Sequence, residues 1–227
     1  MEEIKQELLQ LADPKYLQYS KKLIFDSLPI LGVPTKEVRR LAQKIKKGDF
    51  RTFIADTKPD FYEMQLLMAY VIASSPMKME ERFFYLDRFI PTITDWAVCD
   101  GLVCTLKPKQ EEKEMLFAYL LKWQNSRKEF EVRFVAVVLM SYLDEKHIGE
   151  VLRILQNLYV EKYYAKMGVA WCLATALISF KQEVMNLFKT NRLDPWVQNK
   201  AIQKAKESYR ISSDLKEELL KYKRSKS

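Results

Sequence analysis

Turn-forming residues are scarce in this sequence. Its 227 residues include 5 glycines and 8 prolines. That is too little punctuation for an all-β or dinucleotide-binding chain, whose turns use both residues heavily. Histidine occurs once, at His147, and cysteine three times, at Cys99, Cys104 and Cys172. These make no CxxC and no Cys/His ligand spacing, so no metal and no cofactor is expected. A small, odd number of cysteines suits a reducing cytosol. The first residues, MEEIKQELLQL, are too acidic and polar for a signal peptide, and a cytoplasmic location is expected. No apolar run approaches the roughly 18 residues that span a bilayer, so no membrane partner is expected. GxGxxG, P-loop and nucleophile-elbow motifs are missing too.

What is present is positive charge and helix periodicity. The formal net charge is +8. Nine Lys/Arg stand against four Asp/Glu from Trp196 to Ser227, so about five of the eight net charges fall in the last 32 residues. A basic segment of this kind suits a polyanion partner. Apolar residues recur at i, i+3, i+4 and i+7 almost everywhere, and no six-residue stretch alternates with period two. The spacing between stop signals predicts helices near 2–11, 14–27, 35–47, 60–74, 78–89, 95–106, 109–124, 129–142, 144–158, 161–179, 181–189, 195–209 and 212–223. Thr94–Asp95 and Asp194–Pro195 supply a cap followed by an acid or a proline. The expectation is an all-α chain forming a single domain over residues 1–227.

Four stretches repeat a pattern: EMQLLMAYVIA from Glu63, WAVCDGLVCTL from Trp96, RFVAVVLMSYL from Arg133 and WCLATALISF from Trp171. Their first residues are 33, 37 and 38 positions apart, and a more charged helix follows each. Such spacing matches HEAT-like two-helix repeats, which stack into a curved α-α superhelix, or solenoid, with a concave face. Glu63, Trp96, Arg133 and Trp171 then form one stripe, with Asp100 one turn beyond Trp96. Asp100 is the unusual member. It lies inside an apolar helix, too deep to be a cap, and a buried carboxylate is costly unless paired or hydrogen-bonded. It is either half of a structural ion pair with Arg133 or a working carboxylate beside aromatic walls. Elsewhere, Lys200 and Lys204 face one way on the segment NKAIQKAKESYR, and Lys206 with Arg210 makes a second pair. They form either a solvated face or a set of phosphate contacts. His147, in DEKHIGE, reads as exposed, and Trp123 and Trp196 read as packing.

Taken together these residues resemble the AlkD-type DNA alkylation-repair family, the HEAT-like-repeat DNA glycosylases. The resemblance covers nearly the whole chain. It rests on LPILGVPTKEVRRLAQKI near the N-terminus, Glu63, the W-x-x-x-D of Trp96 and Asp100, Arg133 in EVRFVAVVLM, and Trp171 in KMGVAWCLA. It implies that Asp100 is the catalytic carboxylate. Trp96 and Trp171, with Glu63, would hold the damaged nucleotide, and Arg133 would bind the DNA backbone near the lesion. Lys200, Lys204 and Arg210 are expected to contact backbone phosphates. The implied reaction is hydrolysis of the N-glycosidic bond of N3- or N7-alkylated purines in double-stranded DNA by a monomer, without metal or cofactor. One departure stands out. Trp171 is followed by Cys172, Leu173 and Ala174, where active relatives often carry a basic residue. A non-catalytic DNA-binding solenoid and a protein-binding HEAT scaffold are the alternative readings.

Overall fold

The computed structural model describes residues 2–25 and 28–225. Among these the chain forms fourteen α-helices, three single 3₁₀ turns and no strand. The helices are α1 (Glu2–Gln10), α2 (Pro14–Ser20), α3 (Thr35–Ile45), α4 (Phe50–Asp56), α5 (Tyr62–Ser74), α6 (Met79–Phe89) and α7 (Trp96–Thr105). They continue with α8 (Lys113–Leu120), α9 (Glu129–Leu139), α10 (Ile148–Asn157), α11 (Tyr163–Ala176), α12 (Lys181–Lys189), α13 (Pro195–Glu207) and α14 (Ser213–Leu220). No described helix is long and apolar enough to cross a membrane. By internal contacts the chain divides into two compact units, residues 1–116 and 117–227.

In the first unit α5 lies between α3 and α7, and α4 and α6 also pack against it. In the second unit α11 lies between α9 and α13, while α10 packs on α12. Within each unit, then, alternate helices share a layer and the intervening ones pack beside them. The sequence explains which go where. Every residue of α5 from Tyr62 to Ala73 is buried, as is every residue of α9 from Glu131 to Leu139. Near-continuous apolar runs such as LLMAYVIA have no polar side to offer water, so they settle in the middle. By contrast α10 buries only Ile148, Val151, Leu152, Ile154 and Leu155, one stripe at helical spacing. Gly101 lets α7 approach α5. A Cβ there would lie 3.0 Å from Leu66 Cδ1 and 3.2 Å from Tyr70 Cε1.

Helix starts follow side-chain caps. Asp13 accepts from Lys15 N at 2.7 Å, with Pro14 in the first turn of α2. Asp194 accepts from Val197 N at 2.9 Å ahead of Pro195 in α13. For α7 the cap is Asp95 itself, accepting from Ala97 N at 2.6 Å, rather than Thr94. Three expectations need correction. Helix α4 was not expected, because FRTFIAD is shorter than the segments that periodicity detects; Asp49 caps it through Thr52 N at 3.1 Å. Helix α2 ends at Ser20, although LIF continues its apolar pattern beyond Lys22. His147 is buried, not exposed: its ring lies 5.0 Å from that of Phe117 and 5.4 Å from that of Tyr142, and its Nδ1 is 2.7 Å from Asp144 Oδ1. Trp123 is buried, as its packing role requires.

The connection between α2 and α3 turns on Gly32, whose φ of +90° lies in the left-handed region. A Cβ at this position would come within 2.5 Å of Leu17 Cβ and 2.8 Å of the Asp13 carbonyl oxygen. Gly32→Ala therefore combines backbone strain with overpacking and is expected to destabilise the chain by about 2–4 kcal/mol. Urea unfolding of the variant checks this. A loss under about 0.5 kcal/mol would place the substitution among ordinary surface changes and refute the constraint.

Candidate active site and nucleic-acid interface

The first unit holds Trp96 and Asp100. Trp96 is the first residue of α7, half-buried, and its indole Nε1 donates to the carbonyl oxygen of Leu23 at 3.0 Å. The chain just after α2 is thereby tied to the start of α7. Asp100 follows one turn later and is also half-buried. Residues at i and i+4 share a helix face, so carboxylate and indole are neighbours along α7. Gly101, the next residue, turns toward α5 and packs on Leu66 and Tyr70. Arg39 of α3 stands over the Tyr70 ring at 4.1 Å, and its Nη1 donates to Thr105 Oγ1 at 3.2 Å. Burial pushes the Tyr70 phenol above its ordinary pKa, and the Arg39 charge opposes that shift. Arg39 was not singled out from the sequence. The available signal was the adjacent pair Arg39–Arg40, of which Arg40 is engaged on its own helix by Glu37 at 2.7 Å.

Glu63 requires a correction. It is 0% exposed and cannot touch a lesion as placed. Its Oε1 accepts from Gly32 N at 2.7 Å and Val33 N at 3.1 Å, and its Oε2 accepts from Leu31 N at 3.0 Å. The carboxylate therefore fixes the loop that leads into α3. A period-based reading cannot distinguish a polar residue facing a groove from one buried beneath a loop.

The second unit holds Trp171, Arg133 and the lysines of α13. Trp171 is 38% exposed and forms part of a groove of about 320 Å³ with Thr175, Lys204, Glu207 and Arg210. Burial holds the Lys204 ammonium below its ordinary pKa; Glu207 opposes that shift, and the charges of Lys200 and Arg133 reinforce it. Arg133 is 6% exposed, its side chain buried between α9 and α11 rather than standing at the edge of an apolar face. Its Nη1 donates to the Tyr164 carbonyl oxygen at 3.0 Å, and its stem runs over Gly168, where an added Cβ would sit 3.3 Å from Arg133 Cγ. Direct phosphate contact is therefore not available to Arg133 as placed. Its charge reaches the groove through the electrostatic effect on Lys204.

Lys200 and Lys204 do not share a groove. Lys200 lines a different cleft with Trp196, which is exposed rather than packed, and donates to Gln203 Oε1 at 2.8 Å. Lys206 and Arg210 do not form a helical pair either, because α13 ends at Glu207. The four repeat positions also sit at unequal heights. Glu63 is the second residue of α5 and Trp96 the first of α7, whereas Arg133 is the fifth of α9 and Trp171 the ninth of α11. Among the described residues no group of three or more His, Cys, Asp or Glu side chains could hold a metal ion.

An all-helical chain with cationic grooves floored by exposed tryptophan has the features of a nucleic-acid-handling protein. The comparison with protein families agrees. A family model described as DNA alkylation repair enzyme matches residues 4–205, and the chain belongs to that family. Membership carries a role in the repair of alkylated DNA, with DNA as substrate. No curated protein matches the chain.

Removing the Glu63 carboxylate would leave three N–H groups of the loop without their acceptor. Glu63→Ala is expected to lower stability by about 2–4 kcal/mol, and Glu63→Gln, which keeps one acceptor oxygen, by less. Chemical denaturation of both variants measures the difference. Wild-type stability in Glu63→Ala would show that the loop is held by something else.

Proposed function

We propose that the protein is a monofunctional DNA glycosylase that releases cationic N3- or N7-alkylated purines from double-stranded DNA, with Asp100 as its catalytic carboxylate. The observation carrying this reading is the half-buried pair of Trp96 and Asp100, one turn apart on α7, in a member of a DNA alkylation repair family. The reading takes the alternating helix layers as HEAT-like repeats of a solenoid, which the order α3–α5–α7 and α9–α11–α13 supports.

The chemistry suits a single carboxylate. An N7-alkylated guanine already bears positive charge and departs as a neutral base. As the C1′–N bond breaks, its electron pair goes to the purine and C1′ gains cationic character. A carboxylate stabilises that cation and orients the water whose oxygen bonds to C1′; the water's proton passes to the carboxylate or to solvent. Indole faces attract a cationic base by cation–π interaction, the role that the family resemblance gives to Trp96 of the first unit and to Trp171 of the second. Arg39 in the first unit, and Lys204 and Arg210 in the second, each offer positive charge to phosphates, and Arg133 adds to the field of the second unit from its place on α9. A neutral base would need protonation first, so undamaged DNA is not a substrate in this reading.

Base release from a duplex containing 7-methylguanine tests the proposal. Wild type is expected to release the base, and Asp100→Asn to lose about 100-fold or more in rate. Equal release by the two proteins would remove Asp100 from the chemistry. Strongly salt-dependent duplex binding without any release would instead favour a non-catalytic DNA-binding member of the family. The run Cys172–Leu173–Ala174 after Trp171, which carries no charge, is the observation on that side.

A further inference from the structure

The second unit holds another concave site, distinct from the Trp171 groove. It is a cleft of about 890 Å³ lined by Trp196, Lys166, Lys200, Asn199, Lys223 and Arg224, among others. Its volume is within the range of ligand-binding clefts. Trp196 is 36% exposed, and Tyr163 meets it edge-on, with ring centroids 5.9 Å apart at 67°. The ammonium groups of Lys166 and Lys200 lie 5.9 Å and 5.4 Å from the indole centre.

The chain end forms the other wall, and it is fastened in place. Gln198 Nε2 donates to the Tyr222 carbonyl oxygen at 2.7 Å. Asn199 donates to the Arg224 carbonyl oxygen at 2.8 Å and accepts from Arg224 N at 2.9 Å. Arg224 Nη1 donates to the carbonyl oxygens of Leu193 at 2.7 Å and Asn191 at 3.2 Å. Four cations thus line the cleft against one acid, Asp194. That acid is already engaged, capping α13 through Val197 N and facing Lys166 Nζ at 3.2 Å. Lys223 and Arg224 lie beyond residues 4–205, the part that matches the family model.

An indole that is partly exposed and has cations over and around its ring is a combination that binds unpaired nucleic acid. The base stacks and the phosphates meet the positive rim. A duplex keeps its bases stacked on each other and offers Trp196 no face, so the indole discriminates between the two forms. We propose that this cleft binds single-stranded DNA, with one base against Trp196 and the flanking phosphates on Lys200, Lys223 and Arg224. The inference rests on the reading that the chain handles DNA, and not on the glycosidic chemistry. It gives the protein a hold on unpaired strand.

The experiment uses the full chain and a fluorescein-labelled oligothymidylate, with anisotropy read over a salt series. Trp196→Leu is expected to weaken binding about 10-fold with an unchanged salt slope. Lys223→Ala with Arg224→Ala is expected to weaken binding and to reduce the slope by about one. Unlabelled duplex of the same length should compete poorly. Wild-type affinity in Trp196→Leu, equal competition by duplex, or equal competition by an acidic peptide would each overturn the proposal. Circular dichroism checks that the variants fold. Should Trp196→Leu fail to fold, the charge reversals Lys200→Glu and Lys223→Glu carry the test, and binding within two-fold of wild type then overturns it. Base release from methylated duplex, measured on the same preparations, reports on the glycosylase reading separately. A protein that binds the single strand and releases no base keeps this inference and loses that one.

Discussion

A helix with no solvent-facing side needs all its neighbours in place, and α5 and α9 are such helices. Their apolar residues bury readily. Their polar residues must then find partners inside the protein, since an unmade hydrogen bond there is expensive. The partners are connectors. Glu63 takes the N–H groups of residues 31–33, and Gln65 donates to the Thr92 carbonyl oxygen at 2.7 Å, in the turn ahead of α7. Glu129 accepts from Tyr164 N at 2.6 Å and Arg133 donates to the Tyr164 carbonyl oxygen, both at the start of α11. Gln198 of α13 does the same for the chain end. Buried and half-buried polar side chains on one helix thus set where a neighbouring segment begins or ends.

That logic explains what the sequence disclosed and what it withheld. Periodicity and stop signals were enough to read an all-helical chain, and continuous apolar runs marked the helices that sit in the layer interior. The height of a residue along its helix was not legible. Spacings of 33, 37 and 38 residues put Glu63, Trp96, Arg133 and Trp171 on α5, α7, α9 and α11, yet at unequal turns. Insertions in the connectors shift register without disturbing the pattern. Nor can pattern show what lies above a polar residue. Glu63 and Asp100 read alike as acids in apolar helices; one is sealed under a loop and the other is half-buried. His147 shows the converse, since its sequence neighbours are charged while Phe117 and Tyr142, its ring neighbours, come from elsewhere in the unit.

Charge follows a similar division. Composition located the excess in the last 32 residues but gave it no geometry. In the structure two of the three lysines of α13 separate onto two grooves, Lys204 with Trp171 and Lys200 with Trp196. A helix presents side chains four apart on one face, but the neighbours packed beside that face divide it. The Trp171 groove is closed from beyond α13 by Arg210, and the Trp196 cleft by Lys223 and Arg224.

Asn199 has a role of its own in that arrangement. Its amide both donates to and accepts from the main chain of Arg224, the two-point pairing that a neighbouring β-strand would offer. In a chain whose described residues contain no strand, one side chain imitates a strand partner and gives the tail a register. A slip of one residue would break both bonds. Whatever meets Lys223 and Arg224 therefore meets them in one alignment, because an asparagine side chain fixes the main chain of Arg224.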